Sequence, residues 1–502
     1  MVEVKTYCNA LQPLMPLYRY VSGPEHTLVG SQYLVPESAL GSQTAAFCDL
    51  LTMQPAQNGV YSNNEQPYEV FDRTYIRTKH FTGPNKTNCT EIPCLLIPRA
   101  IGLSQFGVPV LDKRNDGMPI SEDAVLTAEL FDWQKTVVDH AEDRLRSPPY
   151  FGGVIQASCG LGKTLLAIAL AIRLRTKVAV AVNKEFLASQ WIDRVQTFTR
   201  NLSVGRVQGD KCVVADFTVV MLQTISSGRY PPETFKNIGL LVVDEVHHLP
   251  ARTFSQVAKY FTAKMTLGLS ATLKRGDGNE RCVFWQLGPL ITTVQREVTS
   301  GAVQMKVSVK IVRGVKSFEP TRSGRLDRVR LITLLVDNAD RNEIINDNLK
   351  MAIDEGYNVL VISERIDQLK KLTALLGRDG TYPLPLEYVG ERTQKRRKQR
   401  DSGLLESPRV VMTTKQMAAE AFDWKDCTAV LLATPVPVGG VLEQIVGRCQ
   451  RSGKEEDLRP RLIIDVGDTS PILSGMTRSR NSWYHKKAYA VWTVTESLET
   501  PA

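Results

Sequence analysis

The sequence predicts an α/β protein with two tandem lobes, each built on a parallel β-sheet, and an N-terminal accessory domain before them. Three observations lead to this prediction. The chain has 502 residues, which is too long for a single hydrophobic core. Two series of short apolar runs alternate with amphipathic stretches, and runs without polar alternation are typical of strands buried on both faces of a parallel sheet. Ahead of them, residues 1–118 show no helical periodicity of any length, so this segment forms the predicted accessory domain.

The first series of apolar runs predicts the sheet of a lobe that spans residues 119–296. An apolar-rich helix is predicted at residues 165–174, directly after the first run, as expected for the crossover between parallel strands. The runs of this series are Val154–Ala157, Val178–Val182, Val219–Met221, Leu240–Val243 and Thr266–Leu269.

The second series predicts another parallel sheet, in a lobe that spans residues 297–502 and ends in a short tail. Residues 297 to 327 contain three glycines and a proline, and we therefore place the connection between the lobes there. The runs of this series are Val359–Ile362, Val410–Met412, Ala429–Leu432 and Leu462–Ile464.

Composition limits the class of protein. Hydrophobic residues make up 43% of the chain, an ordinary share for a globular protein, and no run reaches the roughly 18 apolar residues of a membrane span. Since the N-terminus also lacks an apolar signal segment, we expect a soluble intracellular protein without a membrane partner. The nine scattered cysteines indicate free thiols in a reducing compartment. The net charge of +9 suits a polyanionic partner such as nucleic acid.

A phosphate-binding loop is predicted between the first strand and the first helix. Gly160 and Gly162 let the backbone bend so that successive N–H groups point into a concave anion site. Lys163 is expected to reach the β- and γ-phosphates of ATP, and Thr164 to offer its hydroxyl to Mg²⁺. A simple glycine-rich turn is the alternative, and the Gly-Lys-Thr sequence in this context argues against it. The predicted loop residues are Ala157, Ser158, Cys159, Gly160, Leu161, Gly162, Lys163 and Thr164.

Two carboxylates follow the apolar run Leu240–Val243. Ligands of parallel α/β sheets bind at the carboxyl ends of the strands, so this position indicates a site and not a solvated turn. Asp244 is the expected Mg²⁺ anchor, and Glu245 the residue that orients and deprotonates the attacking water. His247 is interpreted as a coupling residue, with a satisfied polar side chain as the alternative.

Two other segments belong to the predicted site. Ser270, Ala271 and Thr272 end the next predicted strand, where the hydroxyls of Ser270 and Thr272 can sense the acidic pair and relay its state toward the second lobe. Upstream of the phosphate loop, Gln134 carries an amide that can both donate to and accept from the edge of adenine. The alternative for Gln134 is an ordinary glutamine on a helix surface.

The second lobe contains two arginines on one face of a predicted helix, Arg448 and Arg451. Guanidinium groups stabilise the charge that spreads over a transferring phosphoryl group, and they can do so from another lobe of the same chain. We therefore predict that these arginines and Gln444 take part in ATP hydrolysis. Solvated surface arginines are the alternative.

These motifs, in this order, resemble those of superfamily 2 helicases over about Phe131 to Asp465. The resemblance implies two RecA-like lobes, ATP and Mg²⁺ as cofactors, and nucleic acid as partner. Asp244-Glu245-Val246-His247 gives a DEVH box. Gln190-Trp191 and Leu287-Gly288-Pro289 are similar to the XPB branch of DNA helicases, which includes transcript-release helicases of poxviruses and related proteins of other large nucleocytoplasmic DNA viruses.

The resemblance also implies a substrate and contacts. It implies 3′→5′ activity on DNA or on a DNA–RNA hybrid, viral transcription termination or transcript release, the transcription machinery as a partner, and a location in the host cytoplasm, the nucleus or the virion. A double-strand translocase and an RNA helicase are alternatives, whereas the intact motif set argues against a non-catalytic module. The implied nucleic-acid contacts are Asn183, Gln190, Gln223, Thr224, Ser363, Thr413 and Thr414. The basic residues 391–400 are either a solvated helix face, a nucleic-acid contact or a nuclear localisation signal.

Overall fold

The chain forms two compact units, Met1–Glu297 and Val298–Ala502. Among the residues that the structure describes, no helix is both long and apolar enough to cross a lipid bilayer. A computed structural model describes residues 2–6, 28–29, 32–53, 68–83, 86–158, 160–246, 257, 259–271, 273, 280–296, 305–313, 328–378, 380–388, 408–420, 424, 426–449, 460–468 and 471–497.

The first unit contains eighteen of the described strands and eight of the described α-helices. The strands are β1 (Val2–Thr6), β2 (Leu28–Val29), β3 (Tyr33–Pro36), β4 (Thr52–Met53), β5 (Tyr68–Glu69), β6 (Asp72–Gly83), β7 (Lys86–Ile97), β8 (Leu111–Asp112), β9 (Val125–Leu126), β10 (Gly152–Ala157), β11 (Val178–Val182), β12 (Thr199–Arg200), β13 (Val204–Gln208), β14 (Lys211–Val213), β15 (Phe217–Met221), β16 (Leu240–Val243), β17 (Met265–Ser270) and β18 (Leu290–Arg296). The helices are α1 (Glu37–Leu40), α2 (Thr44–Leu50), α3 (Arg99–Phe106), α4 (Asp132–Arg146), α5 (Lys163–Leu174), α6 (Glu185–Phe198), α7 (Leu222–Ser226) and α8 (Arg281–Leu287), with 3₁₀ turns at Gly41–Gln43 and Pro232–Phe235.

Nine strands form the main sheet of this unit, in the order β1-β18-β10-β17-β16-β11-β15-β13-β14. The central strands are parallel, and only the two edges, β1 and β14, pair antiparallel. The runs predicted as buried strands lie in the middle of this sheet, and every residue of β11 and β16 is buried. Strands β11 and β16 carry apolar side chains on both faces, and helices and loops cover the sheet from both sides. The predicted α/β class is confirmed for this lobe.

Most of the described N-terminal segment forms a smaller sheet, with the strand order β6-β7-β3-β2-β8. The sequence of residues 1–118 gives no indication of the longest part of this sheet, the antiparallel pair β6 and β7. Each of these two strands has 12 residues. Strand β1 lies elsewhere, because Val2–Thr6 pairs with Leu290–Arg296 in the main sheet. Residues ahead of the predicted boundary at 119 therefore complete the sheet of the first lobe.

A buried arginine links the N-terminal segment to the main sheet. Arg99, at the start of α3, is 4% exposed, and its guanidinium donates to the carbonyl of Ala263 at 2.6 Å and to Oγ1 of Thr266 at 2.7 Å. Burial, together with the nearby charge of Arg114, lowers the pKa of this guanidinium to about 9, and the charge of Asp112 opposes this shift. Helices α3 and α8 also share one apolar cluster, which includes Ile101 and Trp285. These contacts anchor the accessory segment on the first lobe.

The second unit is built on one sheet of seven described strands, in the order β21-β22-β20-β23-β24-β19-β25. All of its ladders are parallel. The strands are β19 (Met305–Arg313), β20 (Val359–Ser363), β21 (Leu386–Tyr388), β22 (Val410–Thr414), β23 (Ala429–Leu432), β24 (Arg461–Asp468) and β25 (Ala490–Ser497). The described helices are α9 (Arg328–Asp337), α10 (Ala339–Asp354), α11 (Ile366–Leu376), α12 (Lys415–Glu420), α13 (Gly440–Cys449) and α14 (Pro471–Lys486).

The segment predicted as the connection between the lobes contains β19, which pairs with both β24 and β25. Residues 305–313 of the segment in which we place the connection therefore belong to the sheet of the second lobe. Alternate residues of β19 are apolar, namely Val307, Val309 and Ile311, which is the period-two pattern of a strand. Glycines and a proline on either side of the strand obscure this pattern in the sequence.

Two fully buried ion pairs hold β24 to its neighbours. Arg341, near the start of α10, donates from Nε to Asp468 at 2.8 Å and from Nη1 to the carbonyl of Ala433 at 2.7 Å. Arg480, in α14, binds Asp465 through Nε and Nη2, and the hydroxyl of Tyr484 donates to the same carboxylate at 3.0 Å. Because each charge has a partner, burial is tolerated, whereas removing one partner typically costs about 3–5 kcal/mol. The C-terminal helix and strand are therefore integral to this sheet.

Candidate nucleotide-hydrolysis site

Parallel pairing brings the motifs of the first unit to one edge of the sheet. The neighbouring strands β10, β17, β16, β11 and β15 all end at this edge. Gln156 lies opposite Ser270, Ala181 opposite Val243, and Val182 opposite Met221. The phosphate loop, the acidic pair and the two segments predicted to touch nucleic acid therefore follow adjacent strands, which is the edge where parallel sheets bind ligands.

The phosphate loop adopts a tight turn that depends on glycine. Gly160 and Gly162 have φ angles of 84° and 76°, in the left-handed region that other residues rarely adopt. Helix α5 begins directly after this turn at Lys163, so its N-terminal N–H groups and partial positive charge face the loop. A side chain at Gly162 would place its Cβ 2.9 Å from Nε2 of Gln134. Cys159 lies outside the described residues.

Lys163 connects the phosphate loop to the acidic strand end. Its Nζ lies 3.3 Å from Oε1 of Glu245 and donates to the carbonyl of Ala157, also at 3.3 Å. The side chains of Lys163 and Glu245 are 12% and 18% exposed, so the pair is partly shielded from water. Binding of nucleotide phosphates by this ammonium group stays a prediction. Thr164, the next residue of α5, is half-buried.

Asp244 is buried at the end of β16 with only 8% of its surface exposed. Its Oδ2 accepts a hydrogen bond from Nε1 of Trp191 at 2.8 Å, and its Oδ1 accepts from the backbone N–H of Glu245 at 3.0 Å. Burial and, after it, the charge of Glu245 raise the pKa of Asp244, while Trp191 and Lys163 lower it, and the resulting pKa is about 6. Glu245 itself has a φ of 48°, a left-handed conformation that is uncommon for a non-glycine residue.

The oxygen donors at this edge fit Mg²⁺, the metal that the resemblance implies. Thr164 offers a hydroxyl and Asp244 a carboxylate, both hard oxygen ligands. Within the described part of the chain, no cluster of three or more His, Cys, Asp or Glu residues could hold a metal by itself. Mg²⁺ commonly binds to one or two carboxylates together with substrate phosphates, so a sparse protein site suits it. When bound, Mg²⁺ neutralises charge on the β- and γ-phosphate oxygens.

The raised pKa of Asp244 predicts opposite pH effects on stability and on metal binding. Ionisation is disfavoured in the folded protein, so without Mg²⁺ the free energy of unfolding should fall as pH rises from about 4 to about 6. Mg²⁺ needs the ionised carboxylate, so the Mg²⁺ concentration for half-maximal ATP turnover should rise as pH falls through about 6. Denaturant unfolding in a chelator and Mg²⁺ titrations across this range measure both effects. Asp244→Asn should abolish this contribution to the pH dependence of stability, and an unchanged pH dependence would contradict the prediction.

Gln134 lies beside the phosphate loop. It is 3% exposed, and its Oε1 accepts a hydrogen bond from the backbone N–H of Phe131 at 3.1 Å. Its Nε2 faces Gly162 so closely that a β-carbon at this glycine would collide with it. The amide oxygen thus stabilises the start of α4, and adenine recognition by Gln134 stays a prediction. Phe131, at the same helix end, is 69% exposed.

The predicted coupling residues are described in part. Ser270 is fully buried at the end of β17, opposite Gln156 of β10, and Ala271 follows it at intermediate exposure. Ser270 thus lies between the strands that lead to the phosphate loop and to Asp244. His247 and Thr272 lie outside the described residues.

Two of the nucleic-acid residues predicted in the first unit, Asn183 and Gln223, are in contact. The side chain of Gln223 is exposed, and its Nε2 donates to the backbone carbonyl of Asn183 at 2.7 Å. Gln190, on α6, has intermediate exposure. Thr224 is only 8% exposed, and its hydroxyl oxygen accepts from the N–H of Gly209 at 3.0 Å. Gln223 is therefore the most accessible of the four, while Thr224 supports a neighbouring turn.

Two of the contacts predicted in the second unit need correction. Ser363 and Thr413 are both fully buried, and the hydroxyl of Ser363 donates to Oε1 of Gln368 at 2.7 Å. Both faces of the strands that carry these residues are covered by other parts of the unit. The two side chains are therefore not accessible to a nucleic acid in this structure. Thr414 has intermediate exposure at the end of β22 and stays a candidate.

The arginine motif is described only in part. Gln444 lies in α13 and is 2% exposed. Arg448 lies on the same helix, but its side chain is outside the described part of the structure, as are Arg451 and the basic residues 391–400. The roles of these residues stay predictions.

Sequence reasoning missed the contact between Trp191 and Asp244. The two residues are 53 positions apart, and their bond depends on how α6 packs against β16. It also missed the ion pair between Lys415 and Glu364, which joins the ends of β20 and β22. Nζ of Lys415 lies 2.6 Å from Oε1 of Glu364. No local pattern marks either contact, because both partners are distant in sequence.

Comparison with known proteins finds similarity to ATP-dependent helicases and to a restriction-enzyme subunit. Residues 127–275 match the family model of the type III restriction enzyme res subunit. The chain is 29% identical to protein L396 of Acanthamoeba polyphaga mimivirus, whose name places it among ATP-dependent RNA helicases, over 80% of this chain and 77% of that protein. It is 33% identical to the DNA 3′-5′ helicase XPB of Kineococcus radiotolerans over 177 residues, which is 32% of each chain.

A solved structure shows the same fold. A fragment of an HsdR subunit of a type I restriction enzyme from Vibrio vulnificus superposes with a TM-score of 0.52 at 15% identity, covering 73% of this chain and 68% of that one. The predicted architecture of two RecA-like lobes is thereby confirmed. The segment that matches the family model contains the phosphate loop, the acidic pair and the strand end at Ser270. The chain is an ATP-hydrolysing enzyme that is similar to ATP-dependent helicases.

Proposed function

We propose that this enzyme is a 3′→5′ helicase or translocase that moves along DNA or a DNA–RNA hybrid, and that it serves viral transcription by terminating it or releasing the transcript. One observation carries the proposal: the hydrolytic pair Lys163 and Glu245 lies at the same sheet edge as Asn183 and Gln223. Backbone contacts by amide side chains are independent of base sequence, as movement along a strand requires.

The roles in hydrolysis follow from the site. The backbone N–H groups of the phosphate loop and the ammonium of Lys163 hold the phosphates, and Glu245 orients the attacking water and accepts its proton. Asp244 and Thr164 would hold Mg²⁺, which would supply positive charge to the phosphate oxygens. We assign charge stabilisation in the transition state to Arg448 and Arg451, with Gln444 on the same helix. Ser270, Ala271, Thr272 and His247 relay the state of the site.

The nucleic-acid specificity is tested by ATP turnover measured with single-stranded DNA, duplex DNA, RNA and a DNA–RNA hybrid. The proposal expects the largest stimulation with DNA or the hybrid. Strand displacement on a tailed duplex then tests unwinding, while triplex displacement without strand separation would identify a double-strand translocase. Turnover that no nucleic acid stimulates would refute the proposal.

RNA is the second candidate substrate. The relative L396, which matches over most of this chain, carries an RNA helicase name, whereas the XPB relative matches over about a third of it. Stimulation by RNA alone, with no response to DNA or the hybrid, would favour this candidate. Double-stranded RNA displacement would then replace the DNA assays.

Arg448→Ala is expected to lower nucleic-acid-stimulated ATP turnover by at least ~100-fold, because the transition state loses a guanidinium partner. ATP binding should stay largely intact, since the phosphate loop is unchanged. Turnover and the Kd of a fluorescent ATP analogue measure the two effects. Arg378→Ala is the matched control, because Arg378 forms an exposed pair with Glu343 at 2.8 Å. Wild-type turnover in Arg448→Ala would remove this arginine from the mechanism.

A further inference from the structure

Trp191 donates the indole N–H of a buried side chain to the Asp244 carboxylate. The tryptophan is 2% exposed, and its Nε1 lies 2.8 Å from Oδ2 of Asp244. One face of the indole stacks on Phe217, with ring centroids 6.0 Å apart and the planes 24° from parallel. The hydrogen bond from the indole N–H restricts the rotation of the carboxylate.

The helix that carries Trp191 also carries Gln190, one of the predicted nucleic-acid contacts. Helix α6 begins at Glu185, two residues after Asn183, and Gln190 immediately precedes Trp191. Gln223, on the neighbouring strand end, donates to the carbonyl of Asn183. A ligand that shifts the start of α6 therefore acts on the same rigid element that holds the Asp244 carboxylate.

We propose that Trp191 is a positioning residue that couples nucleic-acid binding at α6 to the orientation of the Asp244 carboxylate. The inference rests on the proposed function, because it assumes that nucleic acid binds beside α6. The Oδ1 atom of Asp244 is held by the next backbone N–H, and Oδ2 by Trp191, so the carboxylate has two fixed hydrogen bonds. One comes from its own strand end, whereas the other comes from the helix that senses nucleic acid.

An ordinary structural role for the indole N–H is the competing explanation. Buried donors need a partner, and Asp244 provides one. The two explanations differ in their kinetic consequences. A structural role predicts lower stability alone, whereas a positioning role predicts a change in Mg²⁺ dependence and in nucleic-acid stimulation at unchanged ATP affinity.

Trp191→Phe keeps an aromatic six-membered ring but removes the N–H together with the pyrrole ring of the indole, so a control for the lost packing is needed. We expect kcat for nucleic-acid-stimulated turnover to fall about tenfold and the Mg²⁺ concentration for half-maximal turnover to rise about tenfold, as for other residues that orient a metal ligand. The ratio of stimulated to basal turnover should also fall, while the KM for ATP stays within about twofold of wild type. Phe217→Leu is the control, because it trims the stacking partner and keeps the N–H; it should lower the Tm and leave the Mg²⁺ dependence unchanged.

The outcomes separate this inference from the proposed function. Wild-type Mg²⁺ dependence and stimulation in Trp191→Phe would overturn the inference and leave the proposed function standing. A wild-type enzyme that no nucleic acid stimulates would overturn both the proposed function and the coupling. The same kinetic changes in Phe217→Leu would show that packing, and not the N–H, is responsible.

A measurement on the wild-type sequence keeps the test independent of how Trp191→Phe folds. The chain has six tryptophans, so full-length protein labelled with 5-fluorotryptophan gives six ¹⁹F signals. Substituting the other five tryptophans one at a time assigns the signal of Trp191 by elimination. Adding single-stranded DNA without nucleotide should shift this signal, and RNA is used if only RNA stimulates turnover. An unshifted signal at saturating nucleic acid would overturn the coupling.

Discussion

Glu245→Gln is expected to lower nucleic-acid-stimulated ATP turnover by at least ~100-fold while the enzyme still binds ATP. The substitution keeps the size of the side chain but removes the base that accepts a proton from the attacking water. The phosphate loop and Lys163 stay in place, so the Kd for ATP should change little. Steady-state turnover and equilibrium binding of an ATP analogue measure the two quantities.

The matched control for this substitution is Glu142→Gln. Glu142 lies on the surface of α4, where it forms an ion pair with Arg146 at 2.9 Å. Losing a surface carboxylate there should leave turnover within about twofold of wild type, since exposed pairs contribute little. Full activity in Glu245→Gln would reject the assignment of Glu245 as the base.

Lys163→Ala is expected to reduce ATP turnover by at least ~100-fold, and in contrast to Glu245→Gln it should also weaken ATP binding. The ammonium group lies between Ala157 and Glu245, where it can meet the β- and γ-phosphates, and no other described side chain of the loop carries a positive charge. Its removal also leaves the partly buried Glu245 without this cation. Turnover and ATP binding are measured as before.

Lys371→Ala is the control for Lys163→Ala. Lys371 is 44% exposed and pairs with Asp337 at the surface of the second unit. Its removal should affect neither turnover nor ATP binding. If Lys163→Ala retained wild-type turnover, the loop at residues 157–164 would not be the nucleotide site.

Much of the fold could be predicted from local sequence. The run Val178–Val182 and the run Leu240–Val243 are strands with the predicted bounds, because continuous β-branched and apolar residues suit a strand that is buried on both faces. The turn at Gly160 and Gly162 could also be predicted, since the left-handed backbone there favours glycine. The β19 strand and the long β6–β7 pair were missed where glycine, proline and polar residues obscured an alternating pattern.

The sequence by itself determined the α/β class and the order of the motifs, as well as the identity of the loop and of the acidic pair at residues 244 and 245. Each of these depends on neighbours within a few residues, which local spacing records. Only the tertiary structure decided that Trp191 holds the Asp244 carboxylate, that Ser363 and Thr413 face the interior, and that β1 joins the first sheet. These features arise from packing between segments that are far apart in the chain, and contacts of that kind leave no periodic signal in the sequence.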